Sequence, residues 1–253
     1  MDRPDPDWER RHPGRPESWS FDFFTPDAGL AGFVGLTIWP SRVAWYWAAL
    51  VGRRRPYLLV RDLDVAAPRS PTSREIRADS LWADVNCETP FDHWSLGLEA
   101  FGVALDDPDE ALGEERGDRT GLGLDLEWEA VGGLHGGEPA YAQPCAVHGE
   151  ILVGAGREVE TVALDGYGWR RHAWGDGVDW FSAPARFGGR IDGGQPHWAE
   201  GDGATAAAAG PLLRAPLRLE HGARRATLER ALCRFTTPAG ENGLGWSERV
   251  VPA

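Results

Sequence analysis

The segment GLGLDLEWEA, residues 121–130, decides the fold, because apolar and acidic side chains alternate along most of its length. A period of two places successive side chains on opposite faces of an extended chain. One face against a core and one facing water is typical of a strand in an antiparallel sheet. The apolar face carries Leu122, Leu124, Leu126, Trp128 and Ala130, and the polar face carries Asp125, Glu127 and Glu129.

Two earlier segments are also predicted to be strands, each with a distinctive pattern. In HWSLGLEAFGVAL, residues 93–105, the apolar side chains occupy even positions up to Leu98 and odd positions from Phe101 onward. This change of phase at Glu99–Ala100, between two glycines, predicts a β-bulge or a barrel-type bend. The segment RVAWYWAALV, residues 42–51, is apolar on both faces. We expect it to be covered on the outside and to line a cavity on the inside.

The remaining strand candidates are short and are separated by turn residues. With 33 glycines and 19 prolines in the chain, this spacing predicts an all-β sandwich or barrel. Two segments are also compatible with short helices: TLERALCR, residues 227–234, and ATAAAAG, residues 204–210. The strand candidates are PYLLVRDLDV, REIRADSLWADVN, CAVHGEILVG, REVETVAL, PLRLEH and ATLERALCRFTT.

The chain is predicted to contain two β domains. The Gly-rich segment VGGLHGGEPA, residues 131–140, directly follows a strong strand and is typical of a domain boundary. We therefore expect an N-terminal barrel over residues 17–133 and a C-terminal barrel over residues 134–253. The charged, Pro-rich residues 1–16 are predicted to be a flexible tail. The acidic segment 106–121 is predicted to be a solvated hairpin loop.

Composition limits the possible partners and the cellular location. The net charge is −13 and every fixed side-chain cation is Arg, which argues against binding to nucleic acid or to an anionic membrane surface. Three separated cysteines without a CxxC motif argue against a disulfide framework and favour the cytoplasm. The first residues lack the apolar core of a signal peptide, and no segment has the roughly 18 apolar residues of a membrane span. The oligomeric state stays open.

The segment DGYGWRRHAWGDGVDW, residues 165–180, concentrates the residues best suited to chemistry. Arg170, His172 and Trp174 occupy alternate positions, so they share a face if the backbone is extended. We expect them to face a cavity at the junction of the two halves, as a polar floor in an aromatic pocket. The alternative is structural: the same residues lock the two barrels together. No helix follows the glycines, so they are not a dinucleotide fingerprint.

This region resembles a known signature. Residues 164–181 resemble the motif dG.G.RDHSWG.RDW of a lipocalin-like (calycin) two-barrel superfamily. That superfamily includes hydroxyneurosporene synthase or carotenoid 1,2-hydratase-like proteins and is similar in architecture to fungal decalin-forming Diels–Alderases. Weaker matches at residues 17–40, 143–153 and 243–250 extend the resemblance over most of the chain. It implies an all-β chain of two lipocalin-like antiparallel β-barrels or half-barrels in tandem.

The chain departs from the signature at three positions. Arg171, Ala173 and Gly177 stand where the motif has Asp, Ser and Arg. A hydratase needs an acid, which Asp176 or a carboxylate of the first barrel would have to supply. A cyclising enzyme needs less, namely a shaped apolar pocket and one hydrogen-bond donor. The matching positions are Arg170, His172, Trp174, Gly175, Asp179 and Trp180.

Two functions follow from the resemblance. The first is a cofactor-independent enzyme that hydrates, isomerises or cyclises a large apolar terpenoid- or polyketide-like molecule in a barrel cavity. The second is a non-catalytic lipocalin-like binding protein for an apolar ligand. Neither uses a metal, since the histidines lack HxH or HxxxH spacing. Glu17, Asp22 and Asp92 are further possible acids. The assigned residues are His172, Arg170 and Asp176 for catalysis; Trp174, Trp180, Tyr167, Trp45, Trp47 and Trp94 for substrate binding; and Asp179 as an ion-pair partner of Arg170.

Overall fold

The computed structural model describes residues 4–155, 158–178, 180–181, 183–201 and 208–252. Within these ranges the chain forms seventeen strands and three short 3₁₀ helices, Pro6–Glu9, Pro108–Leu112 and Gly175–Gly177. The all-β fold class is thereby confirmed. Among the described residues, no helix has the length and apolar character needed to cross a bilayer.

The first sheet has eleven antiparallel strands, and eight of them form a closed ring. The order in the ring is β4-β3-β2-β1-β11-β10-β8-β7, and three residue pairs between β4 and β7 close it. Closure removes the free edges of the sheet and makes a barrel. The strands are β1 (Glu17–Phe24), β2 (Leu30–Ile38), β3 (Val43–Gly52), β4 (Arg55–Ala66), β5 (Ile76–Ala78), β6 (Leu81–Thr89), β7 (His93–Leu105), β8 (Asp118–Ala130), β9 (His135–Gly137), β10 (Ala140–Ala155) and β11 (Glu158–Trp174).

The second sheet has six strands in the order β13-β12-β17-β16-β14, with β15 also paired to β16. Among the described residues no pairing joins its two ends, so this part of the chain is a half-barrel. The segment 227–234 is a strand, which excludes the helical alternative; residues 204–207 lie outside the described residues. The strands are β12 (Arg186–Ile191), β13 (Pro196–Glu200), β14 (Ala208–Arg214), β15 (Leu217–His221), β16 (Arg224–Thr236) and β17 (Asn242–Pro252).

Large side chains occupy the interior of the barrel. The apolar face of the segment 121–130 points inward, as its alternation predicts, and its four largest residues belong to the barrel core. The same core holds Trp19, Phe21 and Trp94. A substrate cavity inside the barrel, expected from the resemblance, is therefore replaced by packed aromatic and aliphatic side chains at these positions.

The second sheet covers the outer face of β2, β3 and β4. Along β3, Tyr46 and Ala48 belong to the barrel core, whereas Trp45 and Trp47 pack with the apolar residues of the second sheet. This double burial explains why β3 is apolar on both faces. The Trp246 indole N–H also donates to the Phe23 carbonyl oxygen over 3.0 Å, which fixes the second sheet against β1.

The phase change in β7 has a different cause from the predicted bulge. The pairing of β7 with β8 runs without a register shift from His93 to Ala104. Trp94 and its even-numbered neighbours face the barrel core, whereas Leu105 packs into the cluster between the two sheets. The pairing with β8 stays regular, which excludes a bulge on that side, while the neighbour on the other side changes from β6 to β4 after Ala100. The buried face changes because the outer side of β7 becomes covered near its end.

The two sheets divide at a different place from the predicted domain boundary. The strands β9, β10 and β11 follow the segment 131–140 and still belong to the first sheet, because β11 pairs with both β1 and β10. The sheets therefore separate after Trp174. The Gly-rich segment contains β9 and the turn into β10. The prediction failed because a local break in the sequence pattern does not reveal which strand a later segment pairs with.

Candidate functional site

Strand β11 presents one face to residues 8–17 and the other to the second sheet. Arg170, His172 and Trp174 share a face, as their spacing predicts, and contact residues of the N-terminal segment. The opposite face carries Trp169, whose ring centroid lies 4.9 Å from that of Trp198 in β13. The prediction that Arg170, His172 and Trp174 point toward the junction of the two halves is therefore wrong. Alternate spacing defines a face, but only tertiary pairing decides what covers it.

A buried ion pair joins Arg170 to the N-terminal segment. Its guanidinium donates to both carboxylate oxygens of Glu9, over 2.5 and 3.2 Å, and to the side-chain oxygen of Gln143, over 2.9 Å from Nε. The side chains of Arg170 and Glu9 are 2% and 1% exposed. Burial opposes the charge of Arg170, but Glu9 outweighs it, and the pKa of Arg170 lies above its ordinary value. Among the described residues the carboxylate partner of Arg170 is Glu9; the predicted partner Asp179 lies outside the described residues.

A hydrogen-bonded chain runs from Tyr141 through His172 to Glu17. The Tyr141 hydroxyl lies 3.3 Å from His172 Nδ1, and His172 Nε2 lies 2.9 Å from Glu17 Oε1. Burial lowers the pKa of His172, which favours the neutral ring. A neutral ring with its proton on Nε2 would donate to Glu17 and accept from Tyr141 at Nδ1. Burial raises the pKa of Glu17, but its hydrogen bonds with His172 and His12 outweigh this and leave it lowered.

Aromatic rings close this cluster from outside. His12 stacks on Trp174 with ring centroids 4.4 Å apart, and Trp8 stacks on Tyr141 at 6.0 Å. His172 is fully buried and Trp174 is 1% exposed. The cluster therefore fastens the N-terminal segment to the end of the barrel, which is closer to the structural alternative than to an open pocket. Catalytic roles for His172 and Arg170 stay predictions.

The N-terminal partners were missed by sequence reasoning. Glu9, His12 and Trp8 lie in the segment that its charge and prolines predict to be a flexible tail. The signal that could have found them is the mixture of Trp, His and Glu within five positions, which is unusual for a solvated tail. Glu17 was among the possible acids, but only the pairing of β1 with β11 places it beside His172.

A cleft of about 220 Å³ lies between the two sheets, on the opposite face of β11. Arg171 of β11 and Arg186 of β12 contribute cations, and Asp176 lies at the rim, exposed to solvent. Burial, and then the nearby Arg186, lower the pKa of Arg171 to about 9. Its hydrogen bond among the described residues is to the Gly177 carbonyl oxygen, at 3.3 Å. The other lining residues include His135, Tyr141, Ala142, Pro184, Trp198 and Glu200.

Next to the cleft lies a chamber of about 20 Å³, which has room for about one water molecule. It shares Arg171, Arg186 and Trp198 with the cleft. Asp22 of β1 accepts from the backbone N–H of Trp169 over 2.8 Å and from Arg230 over 3.0 Å. Burial outweighs these favourable contacts and raises the pKa of Asp22 to about 6.

The raised pKa of Asp22 predicts a specific dependence of stability on pH. The folded-state pKa of about 6 exceeds the ordinary 3.8, so the stabilising protonated form is present at low pH and is lost as the pH rises through 6. The variant Asp22→Asn has no such titration. The free energy of unfolding of the variant, relative to that of wild type, should therefore rise by about 2 kcal/mol from pH 4.5 to pH 7.5. Urea unfolding at both pH values measures this. A difference between the variant and wild type that is the same at both pH values would contradict it.

The other predicted binding residues are dispersed. Trp45, Trp47 and Trp180 pack between the two sheets, where the Trp180 indole N–H donates to Thr37 over 2.9 Å. The guanidinium of Arg190 covers the ring of Tyr167 at 3.3 Å. Of the five predicted binding residues Trp45, Trp47, Trp94, Tyr167 and Trp180, Trp94 is the one that lies near the Arg170 cluster. The Arg170 guanidinium is 5.4 Å from its ring centroid. Asp92 is exposed in the turn before β7.

Comparison with known proteins gives a family and a fold. The model of a family described as "Domain of unknown function (DUF7064)" matches residues 5–189. No curated protein matches the chain. The crystal structure of CghA with Sch210972 is 10% identical with a TM-score of 0.50, covering 95% of this chain and 89% of that one. Another crystal structure of CghA is 11% identical with a TM-score of 0.49, covering 95% and 88%. At this identity the first likeness shows a shared fold.

Proposed function

The chain belongs to the DUF7064 family, and on that premise we propose that it is a small-molecule enzyme with its site in the cleft between the two sheets. The reaction belongs to the lyase or isomerase classes, as a hydration, isomerisation or cyclisation without an organic cofactor. The substrate carries a carbonyl or carboxylate oxygen on a mostly apolar body. The resemblance of residues 164–181 to the signature of the hydratase-like superfamily, which is similar in architecture to Diels–Alderases, supports the reaction type, and the cleft supports the substrate class.

The observation that carries the proposal is the pair of arginines in the cleft. Arg171 has five N–H donors and, among the described residues, one hydrogen bond of 3.3 Å. The Nη1 of Arg186 donates to Glu248 over 2.8 Å, but its buried Nε has no hydrogen-bond acceptor in the described part of the chain, and Glu200 lies 3.7 Å from that nitrogen. Buried donors without acceptors are costly. A ligand oxygen between the two guanidinium groups would satisfy them.

The remaining walls suit an apolar body. Trp198 lines the cleft together with Ala142 and Pro184. Its volume of about 220 Å³ is below the usual 300–1,000 Å³ of small-molecule pockets. We infer that the cleft holds the polar end of the substrate, and that a large apolar remainder extends beyond it or widens it on binding.

The arginines also supply chemistry. Guanidinium N–H groups that point at a carbonyl oxygen withdraw electrons from a conjugated system and stabilise an oxyanion or enolate. This favours cyclisation or isomerisation, which need a donor and a held conformer. For hydration a proton donor is also needed. The rim residue Asp176 in the cleft and Asp22 in the adjoining chamber, with its pKa raised to about 6, are candidates for that role.

A second function also has an observation in its favour. Arg171 stands where the signature of the hydratase-like superfamily has Asp, and a cation in that position suits ligand capture better than proton transfer. A lipocalin-like protein that binds an apolar carboxylate without changing it would use the same arginines. The two functions differ in whether the ligand is recovered unchanged.

Binding is tested with sorbate, a short conjugated carboxylate, and with the matching alcohol. Wild type should bind sorbate at least about tenfold more tightly than the alcohol, since a charge-assisted hydrogen bond is worth roughly 1.5–3 kcal/mol. Arg171→Met should abolish this preference. Because its surroundings disfavour the charge on Arg171, the variant should unfold at nearly the same temperature as wild type. Isothermal titration and thermal unfolding measure the two properties.

Arg249→Met is the matched control, because Arg249 is an exposed arginine paired with Glu229 on β16. It should keep the preference for sorbate. Mass spectrometry of longer polyenoates after incubation separates the reactions: an unchanged mass with a new retention time indicates isomerisation or cyclisation, and a gain of one water indicates hydration. Recovery of every bound polyenoate unchanged would favour the binding protein. Equal binding of sorbate and the alcohol would refute the site.

A further inference from the structure

A second group of chemically active residues lies on the outer surface of the barrel. His93 on β7, Glu127 and Glu129 on β8, and His148 on β10 all point outward, because the residues between them face the core. In the sheet register His93 lies opposite Glu129, and His148 lies opposite Glu127. Directly opposed side chains have Cβ atoms about 4.5–5.5 Å apart. Three rigid strands thus bring two imidazoles and two carboxylates together.

The side chains already converge. His93 Nε2 lies 3.0 Å from Glu127 Oε2, and His148 Nε2 lies 3.4 Å from Glu129 Oε1. One ligand atom from each of Glu127, Glu129 and His148 lies within 4.8 Å of the others. Zinc–nitrogen and zinc–oxygen distances of about 2.0–2.2 Å place tetrahedral ligand atoms about 3.3 Å apart. Side-chain rotations would be needed for that geometry, including one of His93, whose ring nitrogens are outside this converging set of three. The neighbouring residues Ser95 and Ala146 are small and leave room for it.

The surrounding charge favours a cation. Asp125, Glu150 and Asp165 are exposed, and they lie on the same face of the sheet, one or two positions from the cluster. Together with Glu127 and Glu129 they concentrate negative charge around the two histidines. A divalent ion would be attracted by this field and would reduce the repulsion among the carboxylates.

The buried group His12, Glu17 and His172 has similar donors but opposite surroundings. Its ligand atoms also lie within 4.8 Å of one another. However, Arg11 Nε lies 3.5 Å from Glu17 Oε2, and the charge of Arg74 also acts on this carboxylate. A divalent ion there would face two guanidinium groups. Of the two clusters, the outer one has the electrostatics of a metal site.

We propose that His93, Glu127, Glu129 and His148 bind one divalent transition-metal ion of the zinc type. Two imidazole nitrogens and two carboxylate oxygens form a complete tetrahedral set for Zn²⁺, and the nitrogens select against Mg²⁺ and Ca²⁺. The sequence predicted no metal site. It could not show this one, because the proposed ligands come from three neighbouring strands and not from one short motif. Glu127 and Glu129 are two positions apart, and both histidines come from neighbouring strands.

The test uses the full-length protein, stripped with a chelator and titrated with ZnCl₂ by calorimetry. We expect one zinc per chain with a micromolar or lower Kd. His148→Ala and Glu127→Gln should each weaken binding at least about tenfold, because even indirect changes around a metal cost about 10–100-fold. Circular dichroism without metal should be unchanged, since all four side chains are partly exposed. Titration with CoCl₂ should give the visible absorption of a four-coordinate ion.

Two controls identify the source of any binding. Glu150→Gln removes a neighbouring carboxylate that is outside the donor set, and it should stay within about threefold of wild type, as expected for a group that contributes only to the field. His12→Ala removes a donor of the buried cluster and should leave the zinc affinity unchanged. An equal loss in Glu150→Gln and Glu127→Gln, a loss in His12→Ala alone, or no saturable zinc binding would each overturn the proposal.

Discussion

A variant that lacks residues 2–14 is expected to unfold about 6–20 °C below wild type. The deletion removes Glu9 and leaves the buried Arg170 without its carboxylate, which costs about 3–5 kcal/mol. It also removes Trp8 and His12, which cover Tyr141 and Trp174. For a chain of this length, 1 kcal/mol corresponds to about 2–4 °C. Calorimetry or thermal circular dichroism measures the shift in unfolding temperature. Tryptophan emission should move to longer wavelength because Trp174 becomes exposed to solvent.

A shorter deletion of residues 2–4 is the control and should change the unfolding temperature by no more than about 2 °C, since it removes none of these contacts. If the long deletion unfolds at the wild-type temperature, the segment is the flexible tail that its composition predicts, and the contacts of Glu9 contribute nothing. The two deletions together separate the loss of specific contacts from a general effect of shortening the chain.

This segment also shows where sequence reasoning stops. Strands such as 121–130 were predicted correctly because burial of one face imposes a period of two on the residues themselves. The segment 4–16 has no period, since its contacts come from single side chains that reach into a site built by distant strands. Composition describes such a segment on average, and on average it is polar. Its placement depends on Arg170, a residue more than 150 positions away.

The candidate site was predicted in part for a similar reason. The alternate spacing of Arg170, His172 and Trp174 correctly predicted that they share a face. Whether that face meets the second sheet or the N-terminal segment depends on which strands flank β11. Spacing therefore did not single out Arg171, which lies on the opposite face and lines the cleft. It entered only as a departure from the signature.

The same limit applies to strand β7. The apolar positions do change phase after Leu98, but a bulge and a change of the buried face produce the same pattern of apolar residues in the sequence of a single strand. Only the second sheet, packed near Leu105, distinguishes them. The predicted division at 131–140 has a related origin, because glycines there mark a turn within a sheet as readily as a boundary between sheets.

Replacing Arg170 by methionine is expected to lower the free energy of unfolding by about 3–5 kcal/mol. Methionine fills much of the space but leaves the Glu9 carboxylate buried, with the Phe91 backbone N–H at 3.2 Å as one of its few donors. It also leaves the Gln143 side-chain oxygen without the guanidinium that donates to it. Urea unfolding monitored by fluorescence measures the loss, and Arg249→Met, an exposed ion pair, should cost less than about 1 kcal/mol.

The double variant Arg170→Met, Glu9→Met decides whether the cost comes from the pair or from packing. Replacing both partners of a buried ion pair with apolar side chains is often nearly neutral, whereas breaking it leaves a buried charge. The double variant should therefore be more stable than Arg170→Met alone, and the coupling energy of the cycle should be about 1–3 kcal/mol. If the two single losses simply add, Glu9 and Arg170 do not stabilise the fold as a pair, and the N-terminal segment is held by its aromatic contacts instead.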